Sequence, residues 1–338
     1  MSRSRRLQAW APRTCAAAAL TSAALSLTAC VGDNRPTLAP IPRDKPVAIV
    51  AGTPVSGADY ADRVAQQLKG AAAQAQQQPG VPRPDARQIR SQALGGVVDA
   101  AVIDHYAQQH GITATAQEVQ RQYDAVQTQI EQQEQRSGHP VAFTQVLTQY
   151  GFTVASFKKA LADGIIRHKV ELRIAPPGRV EAVRARHILI GPPLAQSGTP
   201  TAKARPDAAY KAEAMAIYQQ LKKDPSRFAP LARQKSVDAA SGARGGELDW
   251  FTKGMMVAPF EKAAFSLPVG QISAPVKSRY GYHIIQVEQH TKIPFTALPQ
   301  SAQQTPAVQA LLRQQQTQFQ SWLSAERKRD HVRILYKA

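Results

Sequence analysis

The stretch YGYHIIQV, residues 280–287, has the period-two alternation and β-branched content of a short strand, and it sets His283 on the same face as Ile285 and Val287. A lone imidazole on an apolar face is most often a satisfied core histidine, so a functional reading needs a partner elsewhere in the chain. VEAVRARHILIG, residues 180–191, alternates in the same way and puts His187 on the face of Val183, Ala185 and Leu189. Between the two lie a helix with Tyr210, Ala214, Ile217 and Leu221 on one side, then a second helix opened by Asp224 as N-cap and Pro225. VDAASGARGGELDWF (237–251) reads as a glycine-marked turn into a strand. A short helix and turn over 258–273 precede the closing hairpin at 275–290. If the first and last strands are antiparallel neighbours, His187 and His283 meet on one buried face.

The rest of the chain is different in character. It holds 338 residues, enough for two or three modest domains, with only 6% aromatic residues and much Ala and Gln, which favours helices with thin cores. A strand at 47–50 leads through a turn holding Gly52 and Pro54 to a helix capped by Ser56; residues 70–86 read as loose. Apolar residues at Ile89, Leu94, Val97, Val98 and Val102 predict a second helix, stopped by Gly111. Thr115 with Glu118 fits a capping box for a third, and two more are split by Gly151. Pro176-Pro177-Gly178 marks a boundary. His105, His110 and His168 lack the helical i,i+4 spacing of a metal site, so neither metal nor cofactor is expected.

The N-terminus sets the expected compartment. Arg3, Arg5, Arg6 and Arg13 precede a short Ala/Leu stretch at 16–29 that is too short for a comfortable membrane span. It ends in Leu27-Thr28-Ala29-Cys30. This resembles the bacterial lipoprotein box, which implies cleavage before Cys30 and its acylation; the alternative is an ordinary cleaved signal with an incidental cysteine. Loss of residues 1–29 removes four arginines and no acid, taking the formal charge from +18 to +14, and leaves no disulfide partner for Cys30. VGDNRPTLAPIPRDK (31–45) reads as a flexible tether. Val31, rather than Asp, after the cysteine leans toward the outer membrane in a two-membrane cell. The high positive charge suits anionic surfaces or acidic polypeptides. No dense Lys/Arg run with interleaved aromatics points to nucleic acid.

Residues 182–290 resemble the parvulin family of peptidyl-prolyl cis/trans isomerases, through ARHILI, FAPLARQKSVDAASGARGGELDWF and PFEKAAFSLPVGQISAPVKSRYGYHIIQVE, matched in order and spacing. The flanks VAIVAGTPVSGADY and ALLRQQQTQFQSWLSAERKRDHVRILYK resemble extracytoplasmic chaperones of the PrsA and SurA type. The resemblance implies an α+β chain: a mostly helical split chaperone domain (47–177 and 292–338) with an inserted parvulin domain (178–291) built on a small antiparallel sheet, behind a signal (1–29) and tether (30–46). It also implies the site: His187, Asp238 and His283 as the polar catalytic residues, and Leu248, Phe251, Met256 and Phe260 as the proline-ring pocket. Asp249 departs from the commoner glycine of the family. The loop at 191–206 carries only Lys203 and Arg205, so the basic cluster of phospho-specific members is missing. The implied partners are unfolded or proline-containing exported polypeptides and, through Cys30, the membrane of the cell envelope. Two further readings stand beside it: a non-catalytic binding module that keeps the parvulin fold, and an adhesin or cell-wall binder resting on charge alone.

Overall fold

The computed structural model describes residues 40–77, 85–137, 141–193 and 205–337. Cys30, the lipobox, the N-terminal signal and Lys203 lie outside the described residues. The chain divides into two compact units: Pro176–Thr317, and a second made of the chain through Ala175 together with Gln318–Ala338.

The split unit is built on β1 (Ala48–Val50), β2 (Thr53–Val55) and β6 (Arg333–Ile334), in sheet order β2-β1-β6 and antiparallel throughout. Pro54 lies within β2 rather than in the turn. It is tolerated there because β2 is an edge strand that can spare a donor. Ser56 Oγ accepts from the Ala58 and Asp59 N–H groups at 3.1 and 3.3 Å, capping α1 (Gly57–Gln77). That helix runs through residues expected to be loose, because Ala and Gln at 71–77 are good helix formers; residues 78–84 lie outside the description. α2 (Ala86–Gln109), α3 (Ala116–Ser137), α4 (Phe143–Gln149) and α5 (Val154–Ile174) follow. Thr115 and Glu118 make the capping box reciprocally. Gly151 turns between α4 and α5 at φ +81°.

The core of this unit joins Val47, Val50, Tyr60, Val98, Val102 and Ile103 to Phe319 and Leu323, which come from the far end of the chain. Three residues alone cannot hold a strand; β1 is held because it pairs on both edges and packs on α2. The segment read as a tether is docked at its C-terminal end. Ile41 packs on this core and Arg43 pairs with Asp62 at 2.6 Å. The apolar side chain and the ion pair outweigh the proline-rich composition.

In the second unit, β3 (Arg179–Ile190), β5 (Gly281–Pro294) and β4 (Val276–Ser278) form an antiparallel sheet in the order β3-β5-β4. α6 (Asp207–Lys223) and α7 (Phe228–Lys235) cover one face through Tyr210, Ile217, Leu221 and Phe228. α8 (Ala239–Gly242) and α9 (Ala258–Ser266) complete it. The expected strand within 237–251 is reduced to isolated bridges, Arg186 to Glu247 and Val183 to Phe251, because a turn at Gly245-Gly246 consumes the segment. The unit ends at Thr317 and not at 291. Phe295, Leu298, Ala302 and Val308 bury themselves against Val180 and Ala182 of β3, so the first half of α10 (Pro306–Arg329) belongs here.

Candidate functional site

The register of β3 and β5 places His187 opposite Ile285 and Leu189 opposite His283. Opposed residues share a face in an antiparallel pair, so the two histidines are diagonal neighbours on one side of the sheet. Their rings are nearly parallel, tilted by 16°, with Nδ1 to Nδ1 at 3.3 Å. Exposure is 6% for His187 and 4% for His283.

Asp238 reaches them from the start of α8. Its Oδ1 caps that helix through the Ala240 and Ser241 N–H groups, which leaves Oδ2 for the site. Oδ2 lies 2.9 Å from His187 Nε2 and accepts from the Ser241 hydroxyl at 2.6 Å. The His187 hydrogen bond, aided by Ser241 and opposed by burial, holds the Asp238 carboxyl well below the usual carboxylate range. Asp238 is therefore an ionised, acceptor-only group, and its hydrogen bond orients His187 with Nε2 protonated.

The remaining protons follow in sequence. With one proton on the His187 ring, at Nε2, its Nδ1 is bare and accepts from His283 Nδ1–H. His283 Nε2 is then bare and accepts from the Ser278 hydroxyl at 2.7 Å, while Ser278 Oγ accepts from the Tyr280 N–H at 3.1 Å. Every group donates in one direction, from Tyr280 through Ser278, His283 and His187 to Asp238. Burial, with His187 adding to it and Asp238 opposing, pushes His283 down to about 3. The pair is thus uncharged at its His283 end at neutral pH.

The segment after Asp238 and Ser241 approaches β3 so closely because of Gly246. It sits at φ +84°, its carbonyl accepts from the His187 N–H at 2.8 Å, and a Cβ there would run into the His187 carbonyl oxygen. Only glycine combines that backbone with that approach.

Leu248, Phe251, Met256 and Phe260 belong to one apolar cluster with Val183, Ala185, Ile285 and Val287. Phe260 meets both imidazoles edge-on, with ring centroids at 5.7 Å from His187 and 5.3 Å from His283. Leu248 and Met256 are half-buried and form its accessible rim. Phe251 and Phe260 are both buried, at 0% and 2% exposure, with ring centroids 5.9 Å apart, and of the two only Phe260 touches the imidazoles in these ring contacts. Ser241 and Ser278 were not singled out from the sequence. Ser241 lies three residues after Asp238, the spacing of a helix cap; Ser278 lies across a tight turn from His283, where the alternation of β5 alone does not register it.

A small antiparallel sheet crossed by two buried histidines, an ionised aspartate and an aromatic wall defines a parvulin-type domain. Sequence comparison agrees: residues 187–289 match the PPIC-type PPIase domain model and residues 19–171 the SurA-like N-terminal domain model. Each match covers less than half of the chain, and the two lie in the order SurA-like, then PPIC-type. The Foldase protein PrsA of Caldanaerobacter subterraneus subsp. tengcongensis is 32% identical over 208 residues, 61% of this chain and 59% of that protein. The Foldase protein PrsA of Staphylococcus aureus is 31% identical over 170 residues, 49% and 52% of the two chains. This chain therefore spans between half and three fifths of the length of these curated relatives. Among solved structures, the parvulin of Nitrosopumilus maritimus is 39% identical over 32% of this chain and 98% of its own, with a TM-score of 0.25.

Proposed function

We propose that this chain is a peptidyl-prolyl cis/trans isomerase coupled to a chaperone part, exported and held at a membrane of the cell envelope by lipid on Cys30. The observation that carries the isomerase reading is the one-way hydrogen-bonded line from Ser278 to Asp238 lying directly under Phe260. Rotation about an X–Pro bond breaks amide resonance against a barrier of roughly 20 kcal/mol. No covalent bond is made or cut, so the site needs no nucleophile. A dry apolar surface at Phe260, Met256 and Leu248 suits a proline ring. A floor of mutually oriented imidazoles, uncharged at His283, meets the twisting amide with preset dipoles, and Asp238 anchors its polarity. The histidines act here by orientation; neither is assigned proton transfer.

Two observations support the chaperone and envelope parts: the SurA-like match over 19–171 and the sequence Leu27-Thr28-Ala29-Cys30. Among the described residues no helix is long and apolar enough to cross a membrane. The test of the isomerase reading is exchange of a proline-containing peptide followed by NMR, comparing the wild type with Met256→Ala/Phe260→Ala. Activity in the wild type that the double variant loses supports it. A wild type inert toward several X–Pro peptides would leave a binding module of parvulin fold.

A further inference from the structure

In the split unit, an open groove of about 430 Å³ lies where the end of α10 and β6 pass over α2. Its floor is apolar, made by Val98, Val332 and the bare backbone of Gly95; Ile334 forms one lip and is 52% exposed. Arg327, Lys328 and His331 complete the lining. The groove exists because Gly95 has no side chain: a Cβ there would meet nothing within 4 Å. Glycine inside a helix costs about 0.5–1 kcal/mol relative to alanine, so the opening is kept at the expense of α2.

No carboxylate lines the groove; its polar lining side chains are Arg327, Lys328 and His331. The run from Arg327 to Arg333 holds Arg327, Lys328, Arg329, His331 and Arg333. Two of these cations are already paired, Arg327 Nε donating to Asp99 at 2.7 Å and Arg329 to Glu326 at 2.7 Å, and Asp330 is buried beside His105 with its second oxygen unpartnered; Lys328, His331 and Arg333 are left to meet a ligand. The helix-end carbonyls that would repel an anion are occupied, since the His331 and Val332 N–H groups donate to Lys328 and Arg327. His331 adopts φ +48° to make this cap, a conformation usually left to glycine. β6 is moreover the edge of its sheet among the described strands, with Ile334 and Leu335 both exposed, and an open edge offers backbone groups to an extended peptide.

We infer that this groove binds an extended client segment that alternates apolar and acidic side chains, seated beside β6 with its carboxylates on Lys328, His331 and Arg333. The apolar floor accepts the side chains of one face and the basic rim those of the other. The inference rests on reading the split unit as the client-binding part of a chaperone.

The experiment uses the full chain and a fluorescein-labelled peptide alternating leucine with glutamate, followed by anisotropy, with its leucine–lysine counterpart as control. Gly95→Leu fills the groove with a better helix former, so it folds at least as stably as the wild type. The expected result is a drop of about tenfold or more in affinity with Gly95→Leu, a several-fold loss with Lys328→Glu, and unchanged proline isomerisation in both. Equal binding of the lysine peptide, or full affinity in both variants, overturns the inference. A wild-type dimer that Gly95→Leu converts to monomer also overturns it and gives the groove to a second copy. Suppression of client aggregation by the wild type is measured separately. Its absence removes the chaperone reading, whereas the peptide titration decides the groove.

Discussion

Acid should destabilise the unit at Pro176–Thr317 through one buried imidazole. His283 is 4% exposed, and burial is the chief cause that takes it from 6.5 to about 3. In the unfolded chain the same ring takes up a proton near its ordinary value. Between the two values the unfolded state binds more protons than the folded one, so stability falls as pH falls. The slope approaches about 1.4 kcal/mol per pH unit, so acidification from about pH 7.5 to about pH 5 costs about 2 kcal/mol, most of it below pH 6.5. With a urea slope of about 2 kcal/mol/M, the midpoint drops by about 1 M. Asp238 is shifted in the same direction, its folded value also lying below its unfolded one, and it weakens the fold in a more acidic window, below about pH 4. Urea titrations at stepped pH, read by Trp250 fluorescence in a chain with Trp10→Phe and Trp322→Phe, isolate this unit. His283→Gln, which cannot titrate, should have lower stability at neutral pH and a smaller pH slope. A midpoint that stays level from pH 7.5 to pH 5, or an equal slope in His283→Gln, would refute the reasoning.

Met256→Ala/Phe260→Ala should remove most isomerase activity and, because Phe260 is buried, also cost the domain about 3–5 kcal/mol; Met256→Ala alone, at the half-buried rim, separates the two effects by lowering activity with a smaller change in urea midpoint. Gly246→Ala should destabilise the domain by more than the ~1–2 kcal/mol of a left-handed residue, since its Cβ also presses on the His187 carbonyl; a variant as stable as the wild type in the same titration contradicts the close approach. Ser278→Ala leaves His283 Nε2 without its donor, and a loss of about 1–3 kcal/mol is expected, with a changed ring-nitrogen shift for His283 by NMR. Cys30→Ser should move the exported protein from membrane to soluble fraction and abolish its labelling by radioactive palmitate; retained labelling would contradict lipidation there.

Much of the site was legible because it rests on period-two alternation: a strand shows its two faces in one dimension, so His187 and His283 could be assigned to apolar faces before any pairing was known. Asp238, Met256 and Phe260 came from the family resemblance, not from periodicity. Capping residues such as Ser56, Thr115 and Asp224 were readable because they act on backbone groups two or three residues away. Other features depend on distances the chain order conceals. The direction of the hydrogen-bonded line follows from Ser241 and Ser278, whose hydroxyls matter only once α8 and the β4–β5 turn are folded against the sheet. Phe251 shares a motif with Phe260, yet the ring contacts with the two imidazoles are made by Phe260, which no pattern along the chain records. The end of the second unit at Thr317 and the groove over Gly95 were likewise decided by tertiary packing. In both, residues distant in sequence compete for the same apolar surface, and the outcome depends on shape in three dimensions.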